Sequence, residues 1–209
     1  MMMMTFVYRY LGQGASAKQL TQNNVSQEQA GPVKGSVLGT SDTRNDEESF
    51  AKQVAEIEKV KESQMLEAEI AEMVKGYPIE EMIPYIAKQD RTVAAFIVAI
   101  AKKESAWGTR IPVLNGQNCY NYWGYRGQRK LMGTGGHTCF NSPEDAVDTI
   151  AKRITTLALE NGRNTPEEMV IWKCGSSCAA TGGQASANKW ISDVTMYFDK
   201  FDKTDKKDS

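Results

Sequence analysis

The stretch "TVAAFIVAIAKKESAWG", residues 92–108, limits what this chain can fold into more than any other. Val93, Phe96, Ile97 and Ile100 recur at spacings of three and four, with Ala101 beside them. That spacing predicts an amphipathic helix pressed onto a core, with Asp90 as its N-cap. One step further along the stripe, where another apolar residue is due, stands Glu104. Burial disfavours the charged form of a carboxyl group. The negative end of the helix dipole acts in the same direction. A carboxyl group that keeps its proton near neutral pH can donate it to a leaving oxygen, as the cleavage of a glycosidic bond requires. The alternative is a Glu that snorkels to water or pairs with a Lys or Arg at the helix end.

The rest of the chain organises around that helix. Residues 12–46 are rich in Gly, Ser, Gln, Asn and Thr and lack hydrophobic periodicity, which predicts a disordered linker. The start, "MMMMTFVYRYLGQGASA", has a short apolar run and a cleavage-like "ASA" but no basic leader. A membrane tether is expected only if the natural start lies upstream. From residue 47 a charged helix follows, with Val54, Ile57, Met65, Ile70, Met73 and Val74 mostly at helical spacing, until "GYP" breaks it at 76–78. Then comes a helix over "IEEMIPYIAKQ", the Glu104 helix, and a Gly- and Tyr-rich loop or small hairpin region from Thr109 to Asn141. Ser142 and Pro143 open another helix that ends before Gly162, and Thr165 and Pro166 repeat the start signal. A last helix lines up Trp190, Val194, Tyr197 and Phe201. The expected organisation is a linker over 1–46, a charged helix over 47–76, a mostly α domain over 77–202 and a disordered tail over 203–209.

Net charge is −1, which gives no reason to expect nucleic acid as a partner. Between Ser105 and Pro143 there is no Asp or Glu, while Arg110, Arg126, Arg129 and Lys130 make the stretch mildly basic. Within it, "NGQNCYNYWGYRGQ" sets Tyr120, Tyr122, Trp123 and Tyr125 among Asn and Gly residues. Rings with polar rims suit sugars, whose faces are apolar and whose edges carry hydroxyls. We expect Tyr122 and Tyr125 to face such a ligand and Trp123 to pack beneath the loop.

"KKESAWG", "NCYNYWGYRG" and "CFNSPEDAVDTIAKRI", in that order, resemble the glucosaminidase family of peptidoglycan hydrolases. That family belongs to the lysozyme-like superfamily, with the soluble lytic transglycosylases and goose-type lysozyme. The likeness spans roughly residues 84–156. It implies a lysozyme-like helical domain with a loop or small hairpin lobe, acting on peptidoglycan or another glycan without a cofactor or metal. By the same resemblance Glu104 is the general acid, Ser105 follows it in the motif, and Asn121, Trp123 and Gly124 stand in the cleft-lining block. The family often supplies a second acid from the loop, but "QRKLMGTGGHT" has none. Glu144, Asp145 and Asp148 are the nearest later acids. Either one of these activates water, or a single carboxylate suffices, as in lytic transglycosylases, where the substrate's own 6-hydroxyl attacks. A glycan-binding module without activity and an adhesive surface protein are the rival classes.

Cys119, Cys139, Cys174 and Cys178 suit two disulfides and an oxidising compartment, or else four reduced thiols. If bridged, Cys119 and Cys139 would pin the long loop and leave Cys174 and Cys178 as a local pair. No CxxC pair occurs and His137 is the only histidine, so no zinc site is expected. His137 and Cys139 have no evident orienting partner for thiol catalysis. The expected protein is a monomer of the extracellular space or cell envelope.

Overall fold

A computed structural model describes residues 43–202, with side chains over 47–201. Most of the expected linker and the tail lie outside these residues; positions 43–46 form the first turn of a helix. The described chain is mostly helical. Its α-helices are α1 (Thr43–Val74), α2 (Ile83–Ile86), α3 (Arg91–Ser105), α4 (Pro143–Thr155), α5 (Ile171–Cys174) and α6 (Gly183–Asp202). The two short strands, β1 (Val113–Leu114) and β2 (Gln117–Asn118), form an antiparallel hairpin.

The centre of the fold is α3. Every residue from Val93 to Ala101 is at most 2% exposed. The expected stripe is therefore a helix buried all round, because α4 and α6 both pack against it. Asp90 caps it as expected: its Oδ1 accepts from the backbone N–H of Thr92 (2.9 Å) and Val93 (3.3 Å). Phe96 meets Phe198 of α6 with ring centroids 4.4 Å apart. Lys103 pairs with Asp193 of α6 at 2.5 Å, and Lys189 joins the same carboxylate.

Three expectations change in detail. The helix expected over 79–89 is a 3-10 turn, Pro78–Met82, followed by the single turn of α2. Pro84 has no N–H to bond back one turn, so a continuous helix cannot form there. The charged helix is not separate from the domain: Leu66, Ile70 and Val74 on its last turns join the common core. Its earlier apolar residues, Phe50, Ile57 and Met65 among them, are exposed. Lastly, α4 runs on through a π-helical turn, Thr156–Glu160, before Gly162 turns the chain with φ +67°.

Candidate active site

The end of α3 carries the local geometry on which the site depends. Ala106, Trp107 and Gly108 all take positive φ (52°, 56° and 92°). Such angles are costly for Ala and Trp, so other contacts must hold them. The Ser105 hydroxyl supplies one: its Oγ donates to the Ala101 carbonyl (3.0 Å) and accepts from the Gly108 N–H (2.9 Å). Trp107 supplies another, donating its indole N–H to the Val98 carbonyl at 2.9 Å, while Lys102 Nζ sits 4.0 Å from its ring. A side chain at position 108 would meet the Tyr122 ring at 2.8 Å, so the motif requires Gly for space as well as for φ.

This turn stops the helix just past Glu104, whose side chain is half-buried. Glu104 Oε1 accepts the indole N–H of Trp190 at 2.7 Å. Its Oε2 lies toward Gly124: a Cβ placed there would stand 3.4 Å away. The carboxyl group opens on a cleft of about 400 Å³ lined by Glu104, Ser105, Arg110, Asn121, Gly124 and His137, among others. Among the described residues, Glu104 is the sole carboxylate in that lining and the His137 imidazole its sole aromatic ring.

The loop opposite is tied down at many points. Asn115 and Gly116, both with positive φ, make the two-residue turn of the β1–β2 hairpin. Asn121 is 1% exposed. Its amide donates to the carbonyls of Tyr125 (2.7 Å) and Thr138 (2.8 Å), and its Oδ1 accepts from the Tyr125 N–H (2.9 Å). Disulfides join Cys119 to Cys139 and Cys174 to Cys178, so all four cysteines are paired. His137 Nδ1–H donates to the Thr134 carbonyl at 3.0 Å.

Of the residues expected at the site, Glu104, Ser105 and Asn121 come together on the cleft. Tyr122 does not: it is fully buried, against expectation. Its hydroxyl donates to Glu81 (2.7 Å) and accepts from the Asn118 amide (3.3 Å), so the ring enters the core without an unpaired polar atom. Burial raises the Tyr122 phenol far above its ordinary pKa. Trp123 lies beneath the loop, with its N–H on the Ile97 carbonyl at 2.8 Å. Tyr125 is half-buried between Phe140 and Trp172 and does not line the Glu104 cleft.

The later acids are placed elsewhere. Asp145 pairs with Arg129 at 2.6 Å and caps the Asn141 N–H, and the guanidinium holds its carboxyl below the usual range. Neither it nor Glu144 nor Asp148 lines the cleft. Three cleft neighbours had no assigned role in the sequence reading. Arg110 and His137 follow the motif only in sequence order. Trp190 sits 86 residues from Glu104 on an ordinary apolar stripe, where nothing local marks its N–H. The chain matches no protein-family model, no curated protein and no solved structure.

Proposed function

We propose that this chain is a glycosidase that cleaves a β-1,4 bond in peptidoglycan or a related N-acetylglucosamine-containing glycan, with Glu104 as general acid. One observation carries the reading. A carboxyl group at the end of the most buried helix is held by an indole and opens on a cleft with no other acid. The resemblance of "KKESAWG" and its two companion blocks to lysozyme-like glucosaminidases points to the same residue.

The lining also favours a second reading within that class. Inverting and retaining enzymes ordinarily set two carboxylates about the scissile bond. Among the described residues, Glu104 is the only carboxylate that lines this cleft. A single carboxyl group would protonate the glycosidic oxygen, then take the proton of the substrate's 6-hydroxyl as that oxygen closes on the anomeric carbon. The product would be an anhydro-sugar, as lytic transglycosylases make. Sugar recognition would rest on polar groups such as Arg110 and the main chain around Gly124 and Gly135, rather than on stacked tyrosines. Paired cysteines fit an oxidising compartment, and no described helix is long and apolar enough to cross a membrane.

Digestion of purified sacculi followed by mass spectrometry tests all of this. Wild type should release muropeptides, with anhydro ends marking the one-carboxylate route and a mass higher by one water marking hydrolysis. Glu104→Gln should lower the rate by about 10²- to 10⁴-fold while keeping the fold. Digestion at the wild-type rate by Glu104→Gln refutes the assignment. Glycan binding without release makes the chain a binding module.

A further inference from the structure

We propose that Trp190 is a positioning residue that decides which oxygen of Glu104 carries the transferable proton. The inference rests on the glycosidase reading above and concerns the same carboxyl group. Trp190 is 1% exposed, and its ring is fixed in the core on α6. Its Nε1–H points at Glu104 Oε1, 2.7 Å away. Indole nitrogen donates a hydrogen bond and accepts none. A proton on Oε1 would therefore leave the indole a hydroxyl-type oxygen, a weaker acceptor, whereas a proton on Oε2 leaves it the stronger carbonyl-type oxygen. Oε2 is the atom near Gly124, at the cleft. The single contact thus sends the proton to the oxygen that faces substrate and holds the carboxyl plane in place for its transfer.

The other indoles show that this use is particular. Trp107, Trp123 and Trp172 donate to the main-chain carbonyls of Val98, Ile97 and Trp123. Those bonds tie backbone to side chain within the fold. Trp190 alone of the four spends its N–H on an ionisable side chain. The bond is also braced. The neighbouring Lys103 pairs with Asp193 of α6 at 2.5 Å, which fixes the separation of the two helices within one turn of the contact. In the proposed reaction the Oε2–H bond breaks as the bridging oxygen takes the proton and the bond from the anomeric carbon to that oxygen breaks. The carboxylate left behind still accepts from Trp190 on Oε1, so the indole also stabilises the anion that forms.

The test replaces the N–H without replacing the ring. Benzothienylalanine installed at position 190 keeps the shape of Trp and puts sulfur where Nε1–H was. The expected result is a kcat on sacculi lowered about tenfold to a hundredfold, the size of effect that follows from a misplaced reacting group. KM and the unfolding temperature should not change, because the missing interaction serves the transition state and not ground-state binding. Unchanged kcat in that variant overturns the proposal. Trp190→Phe, which loses the N–H and part of the ring, should lose both kcat and stability. A second arm needs no activity: Glu104→Gln should move the Trp190 indole N–H resonance in a ¹⁵N–¹H spectrum and leave the other three in place. A Trp190 resonance indifferent to that change refutes the contact itself. Wild type that is inert on every glycan sinks the glycosidase reading and the catalytic use of the bond with it, and the spectrum then judges the contact alone.

Discussion

Asn121 arranges three hydrogen bonds around one turn and brings Tyr125 and Thr138 to the same side chain. Its role is to hold the shape of the loop, and it reaches the cleft as part of the wall. Ser105 acts the same way at the end of α3, where one hydroxyl serves two backbone groups. Both residues stand in motif positions that the resemblance reads as functional, and both have a structural reason to be there. Tyr122 draws the sharpest line between the two readings. As a ligand-facing ring, its loss of a hydroxyl would raise KM for glycan. As the buried ring described here, Tyr122→Phe removes two hydrogen bonds, one to Glu81, which is exposed and stays hydrated, and one from the Asn118 amide. The expected cost is about 1–3 kcal/mol of stability, with glycan cleavage unchanged. Thermal unfolding and steady-state kinetics on the same sample decide between them.

The motif helix and the tied loop carry the site between them. The apolar spacing of α3 and its Asp90 cap were plain in the sequence because both are local: a helix repeats every 3.6 residues and a cap acts within three. Its end is less plain, because the chain leaves the helix at Ala106 through two non-glycine residues at positive φ, held by the Ser105 hydroxyl and the Trp107 indole. The 109–141 excursion has little regular structure of its own, and the Cys119–Cys139 disulfide closes 20 residues of it. Phe140 N–H also bonds the Cys119 carbonyl at 3.0 Å, so the two loop ends meet in the backbone as well. Cutting the crosslink by Cys119→Ala with Cys139→Ala should cost roughly 3 kcal/mol on the chain-entropy account. It should also lower cleavage more than binding, because the Gly124 and His137 walls of the cleft hang on that loop. A double variant as stable and as active as wild type would show that the hydrogen bonds around Asn121 suffice.

At the scale of the molecule, one core runs from the last turns of α1 to Phe201. The apparent boundary at "GYP" is a bend within the domain, since Leu66, Ile70 and Val74 lie in the core with α2, α3 and α4. Ser63 and Glu69 tie α1 to the chain around α2 and α3 by bonds to the Ala87 carbonyl (2.8 Å) and to Arg91 (2.7 Å). Beginning the chain at Lys61 should therefore leave a folded protein, because residues 47–60 are exposed throughout. Beginning it at Tyr77 removes three buried aliphatic side chains, together roughly 5–9 kcal/mol of burial. That is most of the 5–15 kcal/mol that holds a domain, so the shorter chain should be unfolded by circular dichroism. A cooperative melt from a Tyr77 start would put the domain boundary back at the bend. By itself the sequence determined what neighbouring residues decide: α3 and α4 with their Asp90 and Ser142 caps, and a carboxylate placed where an apolar residue was due. It also set the four cysteines at the edges of two loops, though not that they would pair. Only the tertiary structure decided which aromatic rings were core and which were not. Burying Tyr122 required an acid 41 residues away to accept its hydroxyl. It also decided that the indole meeting Glu104 would come from the last helix, 86 residues on, and that no second carboxylate would reach the cleft. Those outcomes depend on contacts between segments brought together by burial, and such contacts leave no period or spacing along the chain.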